Sequence, residues 1–220
     1  MRISMDAKAT VKVGDFSRGG KKRVQVKAAD HDFKALAKVT PVGILAPQFD
    51  ELFLACVTSK VTSDCLVDVL ELWWQNQRER FQEVHTLVIN LDNGPENQSH
   101  RTQFMGRLVE FAKTYQLAIQ LAYYPPYHSK YNPVERCWGS LENHWNGDLL
   151  DSIETIVHFA QTMTWKGNTP VVRLLTTIYE TGVRLSKQAM TEVEKHLERL
   201  SGLERWFVKI TCTLSSEMDT

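Results

Sequence analysis

The chain has 220 residues, enough to bury a sizeable core, and its composition, 43% hydrophobic and 24% charged, is that of an ordinary globular protein. The formal net charge is zero, yet residues 1–40 carry ten Lys and Arg against four Asp, which leaves the remainder at minus six. These values exclude a disordered chain, a collagen-like repeat and a disulfide scaffold, and the basic segment is compatible with either a phosphate-binding surface or a solvated hairpin.

The cysteines and the hydropathy pattern bear on location. No C-x-x-C pair occurs among Cys56, Cys65, Cys137 and Cys212, which is typical of reduced, structural thiols. No apolar run reaches the roughly 18 residues that a membrane span needs, and the N-terminus lacks the apolar core of a signal peptide. We therefore expect a cytoplasmic protein that has no membrane partner.

The first sixty residues have a β pattern. Residues 2–13 alternate between apolar and other side chains, which predicts one half-buried strand with Ser4, Asp6 and Lys8 on its second face. A glycine-rich turn over 14–20 and a second extended segment over 23–27 follow. Residues 42–46 and 52–58 then predict a hairpin with its turn at 47–50.

Helices and strands alternate in the rest of the chain. The pattern predicts a helix from Thr62 or Ser63 to about 80, a strand over 86–91, a helix over 101–115, a strand over 118–123 and a helix over 132–146. From 151 onward the pattern is helical, with a long charged helix over 183–200. We expect an α/β domain over 1–150, in which a mixed sheet has antiparallel first strands, parallel later strands and flanking helices, and a C-terminal helical extension over 151–220.

Three carboxylates occupy positions that could serve chemistry. Asp6 lies within the first strand, Asp92 ends the buried strand over 86–91, and Glu135 lies near the start of a helix. Each also has a structural explanation. Asp6 could be solvated, Asp92 could begin a turn in which Gly94 supplies a positive φ, and Glu135 could be the third helical residue after an N-cap at Asn132.

The combination of the three favours a metal site. An α/β sheet can bring carboxylates from separate elements to one edge, and hard divalent cations prefer such oxygen ligands. Phosphodiester cleavage and transfer gain most from two metal ions about 4 Å apart, which act on the attacking and leaving oxygens. The sequence therefore predicts two Mg²⁺ or Mn²⁺ ions as cofactors.

Three segments resemble one protein family. They are Ile-Ser-Met-Asp-Ala-Lys-Ala-Thr-Val-Lys-Val-Gly at 3–14, Val-Ile-Asn-Leu-Asp-Asn-Gly-Pro-Glu-Asn at 88–97, and Tyr-Tyr-Pro-Pro-Tyr-His-Ser-Lys-Tyr-Asn-Pro-Val-Glu-Arg-Cys-Trp at 123–138. Together they resemble the DDE-type insertion-sequence transposases, in the ISAzo-like branch, over roughly residues 1–206. The third segment is the most specific, because it contains Pro-Pro-Tyr, a short polar turn, Asn-Pro and a helical Glu in the family's order.

The resemblance implies an RNase H-like catalytic domain that cuts and joins DNA. It implies that Asp6, Asp92 and Glu135 are the catalytic, metal-binding triad, with 85 and 42 residues between successive members. The expected partners are transposon ends, target DNA and further copies of the chain, in a bacterial cytoplasm with association to the nucleoid when DNA is bound. The residues expected to contact DNA are Lys8, Lys12, Asn93, His128, Lys130 and Asn132.

One departure from the family leaves alternatives open. Transposases of this kind carry an N-terminal helix-turn-helix region, whereas Met1 here lies five residues before Asp6, so we expect a chain that lacks its DNA-recognition region and that is inactive if the region is essential. A noncatalytic DNA-binding or dimerisation remnant is the alternative from a different class. A nuclease of the same fold acting on RNA–DNA hybrids fits the third segment less well.

Overall fold

A computed structural model of the protein describes residues 1–16, 35–125, 128 and 131–212. The predicted extended segment over 23–27 lies outside the described residues. In chain order the elements are β1 (Arg2–Ala7), β2 (Val11–Val13), β3 (Ala37–Ala46), β4 (Glu51–Val57), α1 (Ser63–Gln77), β5 (Thr86–Leu91), α2 (Thr102–Tyr115), β6 (Ala118–Tyr123), α3 (Glu135–His144), α4 (Ile153–Thr162), β7 (Val171–Leu175), α5 (Lys187–Glu194), β8 (Leu197–Arg199) and β9 (Phe207–Ile210).

These elements are distributed between two compact units. Unit 1 comprises Met1–Met5, Lys60–Asn132 and Tyr179–Thr220, and unit 2 comprises Asp6–Ser59 and Pro133–Ile178. Each unit thus combines separate stretches of the chain, and strand β1 supplies residues to both. The predicted division into domains at residue 150 stays a prediction.

Unit 1 contains a parallel arrangement of β1, β5 and β6. Arg2–Ser4 pair with Val88–Asn90, and β5 pairs with β6 from Thr86↔Ala118 to Leu91↔Tyr123. Strand β9 is antiparallel to β6, and β8 is antiparallel to β9. As predicted, helix α1 precedes β5 and helix α2 connects β5 to β6. Thr62 caps α1 by accepting a hydrogen bond from the Cys65 amide. The carboxyl ends of β5 and β6 consequently open into loops that follow Leu91 and Tyr123.

Unit 2 contains the predicted hairpin. Strands β3 and β4 are antiparallel, β2 is antiparallel to β3, and β7 is parallel to β4. Helix α3 contributes Cys137, Trp138 and Leu141 to the apolar core of this unit, where they lie with Leu54 of β4 and other buried side chains. Glu135, which begins α3, is therefore carried by a well-packed helix.

The first predicted strand is divided in two. The chain leaves the strand conformation over 8–10, where the Lys8 amide donates to the Pro41 carbonyl. Ser4 is also fully buried instead of lying on a solvated face, because its side chain is hydrogen bonded to Asn132. Alternation alone could not reveal that both faces of β1 are covered near Ser4.

The helical prediction for the C-terminal extension is wrong beyond α4. Residues 171–175 form strand β7, and the predicted helix over 183–200 is replaced by an irregular stretch, the short α5 and strand β8. Leu185 is held by packing on Gly106 and by donating its amide to Thr102, and Ser186 then caps α5. Tertiary contacts therefore decide where this helix begins.

Three of the cysteines are buried thiols. Burial raises the pKa of Cys56 and of Cys65 to about 12, and it does the same for Cys137. These side chains stay protonated at neutral pH and pack as small apolar groups, in agreement with their predicted structural role. No helix within the described ranges is both long and apolar enough to cross a bilayer.

Candidate active site

The loop that follows β5 holds Asp92 in a defined orientation. Asp92 is half-buried, and its Oδ1 accepts a hydrogen bond of 2.7 Å from Asn97 Nδ2. The main-chain carbonyl of Asn97 in turn accepts a hydrogen bond of 2.7 Å from the Tyr123 hydroxyl at the end of β6. Burial raises the pKa of Tyr123 above its ordinary value, so this side chain remains a neutral hydroxyl donor. The Asp92 carboxylate is thus anchored to two neighbouring parallel strands.

Gly94 in this loop differs from the sequence prediction. Its φ does not lie in the positive region, so the turn does not need glycine for conformational reasons. A Cβ at this position would lie 3.2 Å from Asn97 Oδ1 and 3.2 Å from Asp92 Oδ2. The absence of a side chain therefore leaves space beside two oxygen atoms, and the physical reason for glycine is room.

Asp6 is held by α3 within unit 2. Trp138 Nε1 donates a hydrogen bond of 2.7 Å to Asp6 Oδ2. The Trp138 ring is only 8% exposed, and a Cβ on Gly43 of β3 would lie 2.6 Å from its Cη2 atom. Gly43 therefore allows the indole ring to approach β3 closely enough to occupy its present place.

Glu135 is the first residue of α3, so the helix begins two residues later than predicted, since the pattern made Glu135 the third helical residue. The residue before it, Val134, makes no side-chain cap. Asn132 does not act as the predicted N-cap, because its side chain is hydrogen bonded to Ser4 and donates to the Met5 carbonyl over 3.1 Å. This amide is used to hold β1 and is unavailable to the helix.

Strands β1 and β5 are parallel neighbours within unit 1, paired from Arg2↔Val88 to Ser4↔Asn90. Asp92 directly follows β5, which agrees with its predicted place at the end of the buried strand.

The two lysines predicted to contact DNA have different surroundings. The Lys8 ammonium lies 2.5 Å from Glu142 Oε1 and its side chain is 10% exposed. Lys12 is exposed on β2, with its ammonium 5.5 Å from the centre of the Phe16 ring. Lys8 would have to leave Glu142 in order to contact a phosphate.

The other predicted DNA contacts also differ in exposure. His128 is exposed and its ring stacks on Tyr131 at 5.7 Å between ring centres. Asn132 is fully buried, so contact with DNA would require it to give up its bonds to β1. Asn93 is half-buried, and its Oδ1 has no hydrogen-bond partner. Lys130 lies outside the described residues.

The oxygen donors suit a hard cation, although they do not form a ready-made cluster. Across the described ranges, no group of three or more His, Cys, Asp and Glu side chains could by itself hold a metal ion. The loop after β5 nevertheless offers carboxylate and amide oxygens, and two of them, Asn93 Oδ1 and Asn97 Oδ1, are buried without a partner. Oxygen donors of these types fit Mg²⁺ or Mn²⁺ better than a soft metal.

Sequence reasoning missed two residues of this arrangement. Asn97 lies five residues after Asp92, and Trp138 lies three residues after Glu135, which is one helical turn along α3. Both are within the segments that carry the family resemblance. Their short spacing from Asp92 and Glu135 was a signal that could have pointed to them. The partner of Trp138, however, is Asp6, which is 132 residues away in sequence and cannot be predicted from a local pattern.

The chain has a mixed α/β sheet, with acidic residues on strand β1, directly after strand β5 and at the start of helix α3. Acidic residues in these places are what the sequence resemblance implies for a catalytic domain that acts on DNA. Residues 1–212 match the family described as the Rhodopirellula transposase DDE domain, and the chain belongs to that family. No curated protein matches the chain.

One solved structure shows a similar fold. The Mos1 transposase paired-end complex with left transposon end matches with a TM-score of 0.51 at 12% identity, over 70% of this chain and 45% of that chain. The present chain thus corresponds to less than half of the solved one. The likeness establishes the RNase H-like fold that the sequence resemblance implied.

Proposed function

We propose that the chain is the catalytic domain of a DNA transposase that hydrolyses phosphodiester bonds at transposon ends and transfers the resulting strands to target DNA. Membership of the transposase DDE domain family over residues 1–212 carries this proposal. The fixed orientation of Asp92 in the loop after β5, where Asn97 donates to its carboxylate, supports it.

Asp6, Asp92 and Glu135 would hold two Mg²⁺ or Mn²⁺ ions. Magnesium keeps several waters and takes phosphate oxygens from its substrate, so three carboxylates need not form a complete cage by themselves. When bound, such a pair of ions supplies activation of an attacking oxygen and stabilisation of a leaving oxygen. Asn97 and Trp138 would keep the two aspartates in a fixed orientation through their hydrogen bonds.

The proposed reaction has two balanced steps. In the first, the oxygen of water attacks phosphorus at the transposon end and the bond from phosphorus to the 3′-oxygen breaks; a proton from the water reaches the departing oxygen through solvent, which leaves a 3′-hydroxyl and a 5′-phosphate. In the second, that hydroxyl attacks a phosphate of target DNA and displaces a 3′-oxygen there, and its proton passes through solvent to the displaced oxygen, so one phosphodiester bond forms as one breaks. Lys12 and His128 are exposed and would contact DNA phosphates during both steps. Two transposon ends must be held together, so a homo-oligomer is proposed as the working form.

Substitution of Asp92 tests this function directly. Asp92→Asn keeps the shape of the side chain and the loop but removes the charge that a divalent ion requires. We expect Mg²⁺- or Mn²⁺-dependent nicking of DNA by the wild-type chain and a loss of at least a hundredfold in the variant, measured on supercoiled plasmid.

The matched control is Asp151→Asn, because Asp151 is exposed and accepts a hydrogen bond only from nearby Thr155 among the contacts described. Nicking should persist in this control. DNA binding without metal-dependent nicking in the wild-type chain would instead favour the noncatalytic alternative.

A further inference from the structure

A buried amide oxygen beside Asp92 has no partner in the described structure. Asn97 is 7% exposed, and its Oδ1 makes no hydrogen bond. Buried acceptors of this kind nearly always have a hydrogen-bond partner in native proteins, so a ligand for this oxygen is expected.

Rotation of the amide group cannot remove this deficit. An ionised carboxylate only accepts hydrogen bonds, so the Asn97 atom that faces Asp92 Oδ1 at 2.7 Å must be the NH₂ group. The carbonyl oxygen is then directed elsewhere. The position of the main chain is fixed independently, because the Asn97 carbonyl accepts from the Tyr123 hydroxyl.

The unpartnered oxygen and the second oxygen of Asp92 border the same space. A Cβ on Gly94 would lie 3.2 Å from each of them, which is closer than side-chain carbons ordinarily approach. Since Gly94 does not have a positive φ, its lack of a side chain serves this space and not the turn. A carboxylate oxygen and an amide oxygen facing one space will accept hydrogen bonds from a water molecule or from a hydrated cation.

We propose that Asn97 is a positioning residue with two functions: its NH₂ group orients the Asp92 carboxylate, and its Oδ1 accepts a hydrogen bond from a water of the divalent cation that Asp92 binds, in the space beside Gly94. This proposal rests on the proposed metal-binding function of Asp92. It assigns a site for a metal-bound water within unit 1, formed by Asp92, Gly94 and Asn97.

The proposal is tested by titrating the protein with Mn²⁺ alone and measuring free ion by electron paramagnetic resonance. Asn97→Leu keeps the branched shape but neither donates nor accepts, and Gly94→Ala keeps every polar group while placing a methyl group in the space. We expect each variant to bind Mn²⁺ about 10–100-fold more weakly than the wild type, as loss of residues that support metal ligands usually does.

The control is Gln98→Ala, since Gln98 is the next residue and its described side-chain bond is a long one to Pro95. Its Mn²⁺ affinity should equal that of the wild type. Wild-type affinity in a folded Asn97→Leu variant would overturn the proposal. If that variant fails to fold, as judged by circular dichroism, the Gly94→Ala result decides in the same way.

Asp92→Asn separates this proposal from the function on which it rests. Loss of Mn²⁺ binding in Asp92→Asn together with wild-type binding in Asn97→Leu and Gly94→Ala would refute only the role of Asn97. Wild-type binding in Asp92→Asn would refute the metal site itself, and the role of Asn97 with it.

Discussion

Two side chains from outside the acidic set fix the aspartates, and they do so with neutral N–H donors. Asn97 donates to Asp92 and Trp138 donates to Asp6. The Asn97 amide orients the Asp92 carboxylate without neutralising its charge, which therefore stays available to a cation. An arginine or lysine in the same place would compete with the metal for that charge.

Trp138→Phe isolates the contribution of the indole N–H. The ring should still pack beside Gly43, while the hydrogen bond to Asp6 is lost. Hydrogen bonds to charged groups contribute about 1.5–3 kcal/mol to stability, so we expect a lower melting temperature together with a fall of about 10–100-fold in DNA nicking. Trp145→Phe is the matched control, because Trp145 Nε1 donates to Glu142 over 2.6 Å and not to a triad residue. Equal losses in the two variants would contradict a specific role for Trp138.

The sequence could identify candidate carboxylates but not their supports. Asp92 follows a continuously apolar strand, and Glu135 follows the Asn-Pro turn, so both have local signals. The prediction that Asn132 is an N-cap was wrong. A capping pattern is local, whereas the Asn132 amide forms hydrogen bonds with Ser4 and Met5, more than a hundred residues away. Distant hydrogen bonds of this kind leave no periodic trace in the chain.

At the scale of elements, strands β5 and β6 and helices α1 and α2 could be predicted because each has a long run of consistent periodicity. Strands β7, β8 and β9 could not, since they have three to five residues each and depend on an existing sheet partner. The Val171-Val172 pair after a proline was a β signal that the helical interpretation overlooked.

The close packing of Trp138 of α3 against Gly43 of β3 leads to a prediction about stability. Gly43→Ala places a methyl group 2.6 Å from Trp138 Cη2 and 3.1 Å from a Val134 methyl group, so we expect a loss of about 1–3 kcal/mol in the free energy of unfolding. Gly139→Ala is the control, because nothing lies within 4 Å of its added carbon in α3. That variant should gain about 0.5–1 kcal/mol, and urea denaturation measures both. Similar values for the two would show that the contact at Gly43 is unimportant.

At the scale of the whole molecule, net charge conceals a strong asymmetry. Residues 1–40 contain ten of the 26 basic side chains, and Lys12 is an exposed member of that set. Neutrality overall therefore does not argue against a polyanionic partner, because phosphate binding depends on local charge.

DNA affinity should fall steeply with salt concentration and depend on Lys12. Lys12→Ala is expected to weaken binding to a DNA duplex at every sequence and to reduce the slope of log affinity against log salt by about one. Fluorescence anisotropy at several salt concentrations gives both quantities. Lys166→Ala is the comparison, since Lys166 is 59% exposed and paired with Asp50 in unit 2. An unchanged slope in Lys12→Ala would remove Lys12 from the DNA-contacting surface.

The pairing of β9 with β6 has a consequence for biosynthesis. Phe207–Ile210 hydrogen bond along β6 from Ala122 to Ile119, so the middle of the chain is completed by residues translated almost ninety positions later. Until the ribosome has released them, β6 has an open edge, and exposed edges invite pairing with other nascent chains. Premature termination ahead of Phe207 should accordingly yield aggregates in place of a shortened native protein.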